Sequence, residues 1–214
     1  GGRGISIESE ITGSLLGFTV SPVPITSSSN STLTSGSISV TGDNAIGVSI
    51  TSAGKVDGDV KLGTVTAQGA GSTGVSILGG VGGTVVFNGA VTANGYRTTS
   101  PTTTAATLAT YTADELQQSG SAVVIGANVG KGILITAAPK TADATNPDAD
   151  SNGIPDSSQA GVITVYGSAP AVQIGVAGAT VSVGNLAQVD TGYGFLNQGS
   201  ITASGICVVA ALSR

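Results

Sequence analysis

Residues 63–77 read GTVTAQGAGSTGVSI, and the first seven of them decide how the chain folds. Within GTVTAQG, Val65 and Ala67 alternate with Thr64, Thr66 and Gln68, the two-residue period of a strand with one apolar face. A glycine closes each end, where the backbone has to turn sharply. The pattern Gly-x-[Ile/Val]-[Ser/Thr]-[Ala/Val]-x-Gly returns as GSISVTG (36–42), GAVTANG (89–95), GVITVYG (161–167) and GSITASG (199–205).

The flanks repeat too. A second strand follows in GDNAIGVSI (42–50) and GAGSTGVSI (69–77), and a third in GDVKL (58–62) and GTVVF (83–87). The first three heptads start 27 and then 26 residues apart. Three short strands and three turns per repeat predict one circuit of a right-handed parallel β-helix, an all-β solenoid. Each strand pairs with its counterpart one circuit away, and inward Val and Ile stack into a shared core that no single circuit could bury alone. Small inward residues (Ala67, Ala93 and Ala203) suit a narrow interior. A β-sandwich with Gly-rich hairpins is the competing architecture, but it gives no reason for the repeat distance.

Composition agrees. The 214 residues include 34 Gly and few Pro, and their apolar set is mostly Val, Ile and Ala, which with abundant Thr favours strands. Apolar residues make up 40% and the net charge is only −5, so the chain is not of the disordered class. The basic residues (Arg3, Lys55, Lys61, Arg97, Lys131, Lys140 and Arg214) are scattered, which argues against a nucleic-acid partner. No apolar run approaches the roughly 18–20 residues of a membrane span. With no Met, the chain is expected to be a processed piece of a longer precursor.

The repeat breaks twice. Segment 1–35 departs from it and is expected to be a cap or a lateral contact, with the β-helix occupying 36–214. Insertions are expected at 96–120 and 136–160, with strands restored in SAVVIGANVGKGILI (121–135). The first insertion should end in a short helix started by Thr112-Ala-Asp-Glu115, where Thr and Glu form a capping box.

Several stretches, in this order, resemble the β-helical passenger region of autotransporter-type bacterial surface proteins, especially of sphingomonad-like and caulobacter-like bacteria. They are GAVTANGYRTT (89–99), TADELQQSGSAVVIGANVGKGILI (112–135), the acidic DADSNGIPD loop, GVITVYGSAPAVQIG (161–175) and GYGFLNQGSITASGI (192–206). The resemblance covers about residues 36–206. It implies export across the outer membrane to the cell surface or the medium, normally through a C-terminal β-barrel, which this sequence does not contain. It does not imply an activity.

The second insertion holds the one motif with metal-ligand spacing, NPDADSNGIPD (146–156). Asp148, Asp150, Asn152 and Asp156 occupy positions 1, 3, 5 and 9 of a calcium loop, with Gly153 at the sharp turn and the Ile154 carbonyl at position 7. Position 12 departs from the pattern. It is Gln159, a neutral amide where a bidentate acid belongs, so Asp143 or a neighbouring circuit would have to supply the missing carboxylate. The plain alternative is a solvated acidic turn.

Signals for catalysis are thin. Without His there is no Ser-His or Cys-His pair. Cys207 lies in an apolar run and reads as buried and inert. Asp57 and Asp59 lie between Lys55 and Lys61, a cluster of the kind used by polysaccharide-active β-helix enzymes, although a salt-laced turn explains it as well. LGGVGG (78–83) lacks the Gly-Lys-[Ser/Thr] ending of a phosphate loop. Pairs such as Thr64/Thr66 suggest an ice-binding array, but in sequence they are not expected to recur at one place in successive circuits.

The expectation is a non-enzymatic structural or adhesive cell-surface protein, a β-helical stalk that self-associates head-to-tail or laterally into a filament or layer. Strand edges left open at the ends of a stack invite such pairing, and the apolar ICVVAALSR tail (206–214) offers a face to a partner. Calcium would order the second loop, and surface glycans or other cells are the candidate partners. The rival expectation is a surface polysaccharide lyase or hydrolase on the same scaffold.

Overall fold

The computed structural model describes residues 1–13, 15–16, 37–95, 104–137, 160–187 and 192–205. Among these the chain is almost all β. The first circuit holds β1 (Arg3–Ile7), β2 (Glu10–Ile11), β3 (Leu15–Leu16) and β4 (Ser37–Thr41). The second holds β5 (Ile46–Ile50), β6 (Lys55–Val56), β7 (Val60–Leu62) and β8 (Thr64–Gln68). The third holds β9 (Thr73–Ile77), β10 (Val85–Phe87) and β11 (Ala90–Asn94), and is followed by a single helical turn, α1 (Ala105–Leu108). The fourth holds β12 (Val123–Ile125), β13 (Ile133–Ile135) and β14 (Val162–Tyr166), and the fifth β15 (Val172–Ile174), β16 (Phe195–Asn197) and β17 (Ser200–Ser204).

Three five-stranded sheets result, each taking one strand from every circuit. The first is β1-β5-β9-β12-β15, the second β3-β7-β10-β13-β16 and the third β4-β8-β11-β14-β17. Strands β2 and β6 make a short fourth pairing. Every strand pairing among the described residues is parallel. A sandwich of hairpins would pair its neighbours antiparallel. The five heptads are the five strands of the third sheet, and the two GVSI strands are neighbours in the first. The described part of segment 1–35 does not stand apart: β1, β2 and β3 pair with β5, β6 and β7.

Register turns the strands into columns. Ile7, Ile50, Ile77, Ile125 and Ile174 stack across the first sheet. Leu62, Phe87, Ile135 and Asn197 stack across the second, and Ile38, Val65, Val91, Ile163 and Ile201 across the third. At the corner between the first and second sheets, Val56, Val81, Val129 and Val183 form a fourth column by single bridges. Through the middle circuits these side chains are fully buried. Each such burial is worth about 1.5–3 kcal/mol. In the fifth circuit the columns become open, with Ile174 44% and Ile201 39% exposed.

The interior is narrow where the first and third sheets converge. A Cβ added at Gly47 would collide with Val65 Cγ1 and the Gly74 carbonyl. One added at Gly74 would lie 2.6 Å from the Ala122 carbonyl oxygen and 2.7 Å from Val91 Cγ1. Glycine here lets one sheet lie against the inward valines of another. A similar constraint shapes a turn, where Gly82, Gly130 and Gly184 stack so closely that a Cβ on each would strike the backbone of the circuit below.

Both long excursions leave from corners that bracket the third sheet. After Gly95 the chain returns to the stack at Gln118, whose carbonyl accepts from Gly71 N at 2.9 Å, and Gly120 N donates to the Ser72 carbonyl at 2.8 Å. Ser119 is buried, and its hydroxyl donates to the Ala93 and Tyr166 carbonyls. At the other corner Thr136 is buried. Its hydroxyl donates to the Phe87 carbonyl at 3.2 Å and accepts from Gly161 N at 3.1 Å.

The helix expected at Thr112–Glu115 takes a different form. Glu115 Oε2 does accept from Thr112 N at 2.8 Å, but Thr112 Oγ1 donates to the same carboxylate instead of capping, and only a turn follows. One helix-type bond forms, Leu116 N to the Thr112 carbonyl at 3.2 Å, before the chain enters the corner at Gln118. The capped helix lies earlier, where the Thr104 hydroxyl accepts from Thr107 N. No helix among the described residues is long and apolar enough to cross a membrane.

Candidate functional site

The calcium-loop residues Asp148, Asp150, Asn152, Ile154 and Asp156 lie outside the described residues, as do Asp143, Gln159, Arg97 and Cys207. The other predicted cluster is fully placed. Lys55 Nζ lies 2.6 Å from Asp57 Oδ1 and 3.0 Å from Glu10 Oε1, so one ammonium joins the first and second circuits. Its hydrogen bonds to Asp57 and Glu10 hold the Lys55 pKa above the ordinary lysine value. Asp59 Oδ1 accepts from Thr84 N, one circuit on, at 2.8 Å.

This use of a side-chain oxygen recurs. Asp43 Oδ1 accepts from Ala70 N at 3.1 Å, and Asn128 Oδ1 accepts from Ser182 N at 2.8 Å. In each case a turn side chain satisfies a backbone donor of the next circuit, a group that would otherwise lack a ladder partner. The segment LGGVGG also belongs to the stacking: Val81 bridges Val56 and Val129, and Gly79 and Gly82 lie against the backbone of the preceding circuit. Among the described residues no three acids, Cys or His converge as a metal-holding group.

A different feature emerges on the outward side of the third sheet. There Ser39, Thr66, Thr92, Thr164 and Thr202 fall in one unbroken column. Beside it run Ser37, Thr64, Ala90, Val162 and Ser200, and on the other flank Thr41, Gln68, Asn94, Tyr166 and Ser204. The expectation that Thr-x-Thr pairs do not recur holds, since Thr64/Thr66 pairs with Ser37/Ser39 and Ala90 and Val162 interrupt the flanking column; what recurs is the single hydroxyl. The signal was present in the heptad itself, whose fourth residue is Ser or Thr in all five copies. Insertions hid the spacing, because copies far apart in sequence still pair in register.

The five strands of this face carry no Asp, Glu, Lys or Arg. Its middle circuits remain partly open: Thr66, Thr92, Thr164, Gln68 and Tyr166 are half-buried, while Asn94 is 5% exposed. The outward sides of the other sheets are mostly closed there, although Lys61 of the second and Val124 of the first are half-buried too. Ser49 and Ser76 of the first are 4% and 7% exposed, and Val86 and Leu134 of the second, 2% each, pack with Leu186. Parallel sheets are usually covered on both faces, and among the described residues the third sheet is the one whose central outward column stays half-open through all three middle circuits.

Comparison with protein-family models, with curated proteins and with solved structures finds no match for this chain.

Proposed function

We propose that the chain is a right-handed parallel β-helix serving as a non-enzymatic structural or adhesive protein of the bacterial cell surface, of the autotransporter passenger type. The observation that carries this reading is the register of the three parallel sheets, in which equivalent strands of five circuits pair residue for residue. Such a stack spans roughly 20 Å at the usual ~4.8 Å strand spacing and offers broad side faces. Function then resides in those faces and in association between copies, head-to-tail or lateral. The polar side chains of the turns support the same reading, since Lys55, Asp43, Asp59 and Asn128 bind one circuit to another. Calcium, held by Asp148, Asp150, Asn152, Asp156 and the Ile154 carbonyl, orders the acidic loop.

Electron microscopy and analytical sedimentation of the purified chain, with calcium and with a chelator, test the proposal. Filaments or sheets are expected with calcium and smaller species with chelator. Monomers in both conditions overturn assembly. Release of unsaturated or reducing ends from a polysaccharide, abolished by Asp57→Asn or Asp59→Asn, would establish the rival enzyme instead.

A further inference from the structure

We infer that the outward face of the third sheet binds a neutral polysaccharide lying along the stacking direction, with Thr66, Gln68, Thr92, Thr164 and Tyr166 as its contacts. This rests on the adhesive reading above and gives it a face and a ligand class.

Exposure selects the face. In the middle circuits the outward columns of the first and second sheets are each closed at two of three positions (Ser49 and Ser76, Val86 and Leu134), while Thr66, Thr92 and Thr164 all stay half-open. Charge selects the ligand. In a chain of net charge −5, β4, β8, β11, β14 and β17 carry no charged side chain. An anionic or cationic polymer finds no counter-charge here, whereas an uncharged one has only hydroxyls to desolvate, and those the face can re-bond.

Chemistry narrows the ligand further. A threonine hydroxyl both donates and accepts, as the hydroxyls of a sugar do. The Thr methyls, Ala90 and Val162 give apolar surface to the C–H faces of a sugar ring. Tyr166 adds a flat ring with a polar tip, a group suited to a ligand apolar on one side and hydroxylated on the other. Periodicity then selects a polymer over a single sugar. The same hydroxyl recurs at every circuit, about 4.8 Å apart, so weak contacts along one chain add as linked sites.

Affinity electrophoresis tests the inference with a neutral β-glucan, a galactomannan and, as the charged control, polygalacturonate in the gel. Retardation is expected in at least one neutral polymer and absent in polygalacturonate. The double variant Thr92→Lys/Thr164→Lys should bind at least tenfold more weakly with an unchanged melting curve, and Tyr166→Ala should also weaken binding. Thr92→Ser, which keeps the hydroxyl, should bind like the parent. No retardation in either neutral polymer, or equal retardation of the double-lysine variant, overturns the inference. Loss of binding alone, with filaments still visible, leaves the structural reading standing; cleavage of the polymer would overturn that reading instead.

Discussion

A single added methyl separates two glycines of this chain. At Gly74 it would meet the Ala122 carbonyl oxygen at 2.6 Å and Val91 Cγ1 at 2.7 Å, and at Gly80 it would meet nothing within 4 Å. Overpacking typically costs about 1–3 kcal/mol. Gly74→Ala should therefore lower the urea midpoint clearly, while Gly80→Ala should leave it unchanged or raise it slightly. Lys55 sets a second test. Its folded pKa is raised, so its contribution is complete below the unfolded lysine value and is lost as pH climbs through the folded one. The parent should show a small extra loss of stability on the alkaline side of the ordinary lysine range, which Lys55→Met lacks. Solvent screens this exposed pair, so the effect stays small. The inward alanines Ala67 and Ala93 were readable in the sequence, because alternation alone assigns their side. The structural use of Asp43 and Asp59 was not, because their acceptors serve donors 25 or more residues away.

At the scale of the strand, the two faces of β11 differ sharply. Val91 is fully buried and its neighbour Thr92 is half-open. Thr92→Lys should shift stability by less than about 0.5 kcal/mol, the range of ordinary surface changes. Val91→Lys places an amine among Val65, Ile163 and their neighbours and should leave no cooperative thermal transition. The third sheet was readable because each of its strands alternates cleanly. The second was harder. Val85-Val86-Phe87 and Ile133-Leu134-Ile135 are apolar throughout, since Val86 and Leu134 are covered on their outer side by Leu186, which arrives from a distant turn. The helix was misplaced for a related reason: Thr112 and Glu115 have the right spacing, but the chain three residues on is already committed to a corner.

Across the whole molecule, stability should fall from the middle circuits outward. Ile77 and Val91 are fully buried, while Ile174 and Ile201, in the same two columns, are exposed by 44% and 39%. In a stack each circuit contacts only its neighbours, so local opening follows position along the stack. Hydrogen exchange should show the slowest amides in β9, β10 and β11 and faster ones in β15 and β17; uniform protection would contradict this. One consequence concerns the corners. Residues 96–117 separate β11 from the return at Gln118, yet β12 still pairs with β9 in register, Val123 over Val75 and Ile125 over Ile77. Lengthening a flexible loop costs only about 0.6 kcal/mol for each doubling. The corners beside the third sheet are thus ports for foreign sequence: a peptide epitope or a small domain spliced after Gly95 would ride on a scaffold whose core does not register its arrival.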